Sequence, residues 1–245
     1  MNMRKLPVIL FLCLLVNQMN GQINDTIVKT QKLTYKKFIL PAALVATGSL
    51  LLNTDRNRKI QADANRFFGS DFHTRLDDIT VFVPVGQLYA GGLFGFEAKN
   101  SLKHRTISVV TANALSFTLV SVLKNIVKAH RPDDSDQLSF PSGHSAIAFT
   151  NAALLFQEYK DDNIWYASSG FLFATTTGFL RVANNKHFAS DVFAGAGIGL
   201  ASGFLVTYWN PLQNIHLGKK QKGTAFVYPQ LGNQIGIGAV ILPNF

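Results

Sequence analysis

Cysteine is almost missing from this chain: Cys13 is the only one among 245 residues. An intrachain disulfide and a cysteine-built metal site are both excluded. Acidic residues are scarce as well, 14 Asp and Glu against 23 Lys and Arg, which leaves a formal charge of +9. That balance suits an anionic substrate or an anionic membrane surface. The cations nevertheless form no basic repeat interleaved with stacking aromatics, and no recognition motif accompanies them, so nucleic acid is excluded as a partner. Long, clean apolar runs are also in short supply, and mean hydropathy is only +0.16. A hydrocarbon layer of about 30 Å takes about 20 mainly apolar residues per helix. Here Asn113, the pair Thr150 and Asn151, and Thr175 to Thr177 interrupt the stretches that come nearest.

What is present is a series of six apolar runs: Phe38 to Leu52, Ile79 to Phe96, Ile107 to Leu123, Ala146 to Phe156, Ile164 to Leu180 and Val192 to Trp209. Their length predicts helices. Between the first two lies the charge-rich segment Asn53 to Asp78, read as a loop with an amphipathic helix around Ile60 to Phe68. Residues 1–22 have the layout of a secretory signal, with Arg4 and Lys5, the apolar Leu6 to Val16, and a polar stretch to Gly21-Gln22. Met19 is large for a cleavage site, and Leu12 before Cys13 argues against a lipoprotein. Loss of the leader takes the formal charge from +9 to +7. At the other end, Ala225 to Leu231 and Gln234 to Leu242 predict a short β-hairpin around Gly232-Asn233. The expected organisation is a signal over 1–22, an N-terminal helical region over 23–78, a core over 79–216 and a hairpin tail over 217–245.

Three strings in the second half carry chemistry: Lys124-x6-Arg131-Pro132, Pro141-Ser142-Gly143-His144 and Arg181-x5-His187-x3-Asp191. A transferring phosphoryl group spreads negative charge over its oxygens, so fixed cations and N–H donors stabilise it. Lys124, Arg131 and Arg181 fit that task, the arginines as planar forks and the lysine as a mobile point charge. Ser142 is placed to cap a helix opening the apolar run from Ala146, which aims the free N–H groups of Gly143 and His144 at an anion. If a helix begins near His187, Asp191 lies one turn on, able to accept the Nδ1 hydrogen and leave Nε2 as a nucleophile. His144 remains to protonate the leaving oxygen. This inventory needs no metal.

Read by direction alone, four antiparallel helices end at Lys124, start at His144, end at Arg181 and start at His187. All three strings then fall at one end of one bundle. Alone, each residue also has a plainer reading: a lone histidine is more often structural, and Lys124 and Arg131 also suit the flank of a membrane helix. His73, His104, His130 and His216 match no string and read as surface or interfacial residues. Lys128 reads as solvated surface, with an electrostatic helper as the sharper alternative.

The strings resemble the three-part signature of the type 2 phosphatidic acid phosphatase and vanadium haloperoxidase superfamily, K-x6-R-P, P-S-G-H and S-R-x5-H-x3-D, over residues 80–210. The one departure is Leu180, where the family usually has Ser. The resemblance implies an all-α, six-helix bundle, a phosphohistidine intermediate on His187, and no metal or other cofactor. Vanadate is expected as an inhibitor, or as the cofactor of a haloperoxidase in a less favoured reading. The implied activity is a bacterial-type envelope phosphatase acting on a lipid or isoprenoid phosphate at a membrane, its site facing the periplasm. If the leader is cleaved and all six runs span, the site instead faces the cytoplasm, so a periplasmic site requires a retained leader or an early run that does not span. The alternative is a soluble, broad-specificity periplasmic acid phosphatase with the same site. The strings specify a phosphate on an apolar anchor and name no protein partner.

Overall fold

A computed structural model describes residues 34–69, 71–210, 223–230 and 236–243. The leader-like residues 1–22, Cys13, His216 and the Gly232-Asn233 turn lie outside them. The chain divides into two compact units, Met1–Asn210 and Pro211–Phe245.

The first unit is helical. A 3-10 turn, Tyr35–Phe38, leads into α1 (Ile39–Leu51), followed by α2 (Asp55–Phe68), α3 (Leu76–Thr80), α4 (Val83–Ala90), a second 3-10 turn (Gly91–Phe94), α5 (Leu102–Val127), α6 (Gly143–Tyr159), α7 (Ile164–Ala183) and α8 (Ala189–Tyr208). Short polar side chains set several starts. Ser101 accepts from the His104 N–H, Ser142 from the Ser145 N–H, and Asn163 from the Tyr166 N–H. Thr54 does the same for the Asn57 N–H, so α2 begins a turn ahead of the amphipathic stretch expected from Ile60.

The expectation of six helices needs correction at Ile79 to Phe96, which is not one helix but the end of α3, then α4 and a 3-10 turn. Pro84 has no N–H to continue a ladder from α3, and it sits instead in the first turn of α4, where that donor is not needed. Beyond Ala90 the chain meets Gly91, Gly92 and Gly95, the last in the left-handed region at φ 83°.

In the core, α6 lies against both α7 and α8 and buries Ala146, Ala148, Ala152, Ala153 and Leu155. Its seam with α8 is backbone on backbone. A Cβ on Gly199 would stand 2.3 Å from the Ala146 carbonyl oxygen, and one on Gly195 would stand 2.4 Å from that of Ser142. Only glycine permits that approach, and the second contact lies directly under the Ser142 cap.

Among the described residues, α5 and α8 are long and apolar enough to cross a membrane; a third span is reached if Tyr35–Leu51 and Asp55–Phe68, bent by 91°, count as one broken span. On α5 the large apolar residues Val110, Phe117, Val122 and Ile126 are exposed.

In the second unit, β1 (Gly223–Gln230) and β2 (Gly236–Pro243) pair antiparallel, with Val227 opposite Ala239.

Candidate functional site

His187 stands two residues ahead of α8, on the loop that follows α7, and is 2 % exposed. The helix therefore begins slightly later than His187, and Asp191 occupies its third position. Asp191 does two things there. Its Oδ2 accepts the Phe188 N–H at 3.0 Å, which caps α8, and lies 3.3 Å from His187 Nδ1. Ser139 Oγ donates to the same Oδ2 at 2.5 Å and sits 3.4 Å from Nδ1, while Ser190 Oγ donates to Oδ1 at 2.9 Å. The carboxylate is fully buried and held at both oxygens. Among the described residues the side-chain hydrogen bonds of His187 run through Nδ1, which leaves Nε2 available. Burial pushes the His187 imidazole down to about 4 against the opposing pull of Asp191, with Arg181 and Lys124 pushing the same way as burial. At neutral pH it is an uncharged base.

Arg181 closes α7 and is only 9 % exposed. Its Nη1 donates to Asp77 Oδ2 at 2.6 Å, and Asn184 Nδ2 donates to Asp77 Oδ1 at 3.1 Å. Among the described residues the buried Nε of Arg181 has no partner, so part of its fork is unspent. His144, in the first turn of α6, places Nε2 3.2 Å from Asp78 Oδ1. Burial, and then the Arg181 charge, hold this imidazole below its ordinary 6.5, while Asp78 and Asp77 oppose the shift.

Lys124 Nζ, at the end of α5, donates to the Leu138 carbonyl and, at 3.3 Å, to that of Ser139. It is near enough to Arg131, Arg181 and Asp191 to feel their charges. Arg131 Nε donates to Asp136 Oδ1 at 2.8 Å and Nη1 to the Lys186 carbonyl at 3.3 Å, which ties the loop after α5 to the loop bearing His187. Ser142 is buried; its Oγ caps α6 and accepts from Ser145 Oγ at 3.0 Å, so the hydroxyl serves the helix first. Gly143 begins α6 beside Val120, whose Cγ1 is 3.9 Å from where a Cβ would stand. Leu180 is partly buried, one residue before Arg181.

All eight expected residues thus gather at the end of the bundle where α5 and α7 finish and α6 and α8 begin. Four others that the spacing did not reveal join them: Ser139, Ser190, Asp77 and Asp78. Among the described residues no group of three or more His, Cys, Asp or Glu side chains is arranged to hold a metal ion.

Residues 105–215 match the family model described as the PAP2 superfamily. The chain carries a PAP2 superfamily segment. Its relatives include a lipid A 1-phosphatase from Porphyromonas gingivalis, 37% identical over 193 residues, covering 74% of this chain and 42% of the relative. A dolichyldiphosphatase 1 from Dictyostelium discoideum is 33% identical over 115 residues, covering 41% of this chain and 50% of the relative. The chain therefore spans half or less of the length of these relatives. Among solved structures, a transmembrane PAP2 type phosphatidylglycerolphosphate phosphatase from Bacillus subtilis superposes with a TM-score of 0.52 at 20% identity, covering 71% of this chain and 95% of that one. That likeness speaks for the fold.

The PAP2 segment contains Lys124, Arg131, Ser142, Gly143, His144, Arg181, His187 and Asp191. Asp77 and Asp78, on α3, stand ahead of it, yet they touch Arg181 and His144. The candidate site thus draws on one helix, α3, that stands ahead of the matched segment.

Proposed function

We propose that this protein is a membrane-associated phosphatase of the cell envelope that removes phosphate from a lipid or isoprenoid phosphate. The observation that carries the reading is the buried His187–Asp191 pair beside Arg181 and Lys124, with Arg131 tied to the His187 loop at the Lys186 carbonyl and a second histidine at the rim. The relatives named as a lipid A 1-phosphatase and a dolichyldiphosphatase support the class of substrate.

In this mechanism the Nδ1 hydrogen of His187 is committed to Asp191, and the Nε2 lone pair attacks phosphorus. The bond to the leaving oxygen breaks as His144 gives that oxygen its proton. Lys124, Arg131, Arg181 and the N–H groups of Gly143 and His144 neutralise the phosphoryl oxygens; Ser142 fixes the helix end from which those donors project. Water, deprotonated by His144, then attacks the phosphohistidine, the P–N bond breaks, and inorganic phosphate leaves. No metal or other cofactor is assigned a step, and vanadate is expected to inhibit as a phosphate mimic. The long, apolar α5 suits a lipid surface, and in this reading the site faces the periplasm.

The test is phosphate release by the full chain in detergent, with EDTA present, on phosphatidic acid, an isoprenoid diphosphate, a lipid A phosphate and a small aryl phosphate, beside His187→Ala. Lipid turnover abolished by the substitution supports the proposal. Turnover of the aryl ester alone points to a broad-specificity acid phosphatase, and turnover that survives the substitution refutes the histidine mechanism.

A further inference from the structure

Helix α2 lies ahead of the matched PAP2 segment, yet a stripe of its amides reaches the loop that carries His187. Asn57, Gln61 and Asn65 are spaced by four, which puts them on one face of a helix. Asn57 and Gln61 are 3 % and 5 % exposed in a helix otherwise rich in surface charge. Burying an amide is unfavourable unless it is hydrogen-bonded, and these reach both ends of one loop, although Gln61 Oε1 has no partner among the described residues. At the near end, Gln61 Nε2 donates to Asn185 Oδ1 at 2.9 Å and to the Val182 carbonyl at 3.1 Å, with Asn65 Nδ2 3.3 Å from the same Asn185 oxygen. Asn185 is itself left-handed, at φ 56°. At the far end, Asn57 holds Ser190 twice: Ser190 N–H donates to Asn57 Oδ1 at 3.2 Å, and Asn57 Nδ2 donates to Ser190 Oγ at 2.8 Å. His187 lies between these anchors.

The second anchor has a fixed direction. A backbone N–H can only donate, so Asn57 must turn its oxygen to the Ser190 N–H and its NH2 to the Ser190 hydroxyl. That hydroxyl accepts from Asn57, and its own hydrogen goes to Asp191 Oδ1, 2.9 Å away. Asp191 Oδ2 already receives Ser139, Phe188 and His187. The chain of hydrogen bonds runs from the Asn57 amide through the Ser190 hydroxyl to the Asp191 carboxylate, where the His187 Nδ1–H meets it from the other side.

We propose that Asn57 is a positioning residue for His187, acting through Ser190 on the buried Asp191 carboxylate. The inference rests on the phosphatase reading for its kinetic consequence but not for its geometry. Without the amide, the Ser190 hydroxyl is free to rotate, the carboxylate holding Nδ1 loses one of its two fixed oxygens, and its charge, shared with one firm donor fewer, pulls harder on the His187 proton.

The experiment uses the full chain in detergent as wild type, Asn57→Ala, Ser190→Ala and the double variant. Phosphate release from phosphatidic acid and a small aryl phosphate is measured across pH. In parallel, the His187 Nδ1–H proton is followed by NMR on 15N-histidine protein and assigned with His187→Gln. Each single variant is expected to lose about tenfold or more in kcat/KM, as for a lost hydrogen bond to a charged group. The double variant is expected to lose no more than the worse single one. In each variant the acid limb of the profile moves to higher pH and the Nδ1–H signal broadens. Losses that multiply, or an unmoved acid limb with an unchanged Nδ1–H signal, overturn the proposal. If Asn57→Ala does not fold, Ser190→Ala, which removes a single oxygen, gives the same readouts. If the wild type releases no phosphate, the phosphatase reading fails, and the proton signal alone decides the relay.

Discussion

Replacing Asp77 by Asn keeps the shape of the side chain and removes its charge. Asp77 is 2 % exposed and Arg181 11 % by side chain, and their 2.6 Å contact is shielded from water. An amide offers one acceptor oxygen where two donors, Arg181 Nη1 and Asn184 Nδ2, now arrive. Breaking a buried pair from one side costs about 3 to 5 kcal/mol, and the milder end suits a substitution that keeps one hydrogen bond. At about 2 to 4 °C per kcal/mol for a chain of this size, Tm should fall by about 6 to 12 °C. The deficit should then respond to anions. With Asp77 neutral, the Arg181 guanidinium has no competing carboxylate, so inorganic phosphate binds it more tightly and restores stability; saturation at 100 times Kd is worth about 2.7 kcal/mol. The assay is thermal unfolding in detergent with and without phosphate, in EDTA. An unchanged Tm would refute the buried-pair argument. An equal phosphate response in wild type and variant would refute Arg181 as the anion's partner.

Ser139→Ala removes the 2.5 Å donor to Asp191, and kcat/KM should fall about 10- to 100-fold, on the scale of a hydrogen bond to a charged group. Steady-state kinetics beside a Ser135→Ala control on the exposed part of the same loop read this out. In the proposed mechanism His144 is the acid in its protonated form, which is lost as pH rises through a value below 6.5; Asp78→Asn removes an opposing carboxylate, so the alkaline limb of kcat/KM on an aryl phosphate should move to lower pH. Movement the other way would count against the role of Asp78. Folded His187 takes up its proton at about 4, compared with 6.5 when unfolded. The unfolded state thus binds more protons in that window, and stability should decline as pH falls from 6.5 towards 4. Denaturation at graded pH checks it, with His187→Gln expected to decline less steeply because among the described histidines only His144 then contributes in this way. Gly199→Ala should destabilise the bundle, because its Cβ would stand 2.3 Å from the Ala146 carbonyl; a Tm within a degree of wild type would mean that α8 can slide.

The residues legible in sequence were those whose spacing is local or whose place follows from helix direction. Lys124 ends α5, His144 opens α6, Arg181 ends α7 and Asp191 opens α8, so the parity of four helices brings them together. Their supports were not legible because each lies far away along the chain. Ser139 meets Asp191 across 52 residues, Asp77 meets Arg181 across 104, and Asn57 meets Ser190 across 133. No local pattern marks a serine or an asparagine as the partner of a residue so distant. The stretch Asn53 to Asp78 read as a charged loop with a helix only around Ile60 to Phe68 because charge dominates its composition, and the face of α2 that matters is three amides long. Ile79 to Phe96 read as one helix because apolarity outweighed Pro84 and the glycines.

The seam between α6 and α8 has a consequence for how such a molecule can diversify. Gly195 and Gly199 set main chain against main chain, with nothing protruding that a substitution can shorten. Every available mutation there only adds atoms, so the spacing of the two helix starts is a ratchet that selection can hold but cannot adjust. Variation is left to surfaces such as Leu76, Ile79 and Phe82, which are 55%, 62% and 62% exposed and carry no such constraint. Inheritance of the chemistry and experimentation with the cargo can therefore proceed on separate parts of one chain.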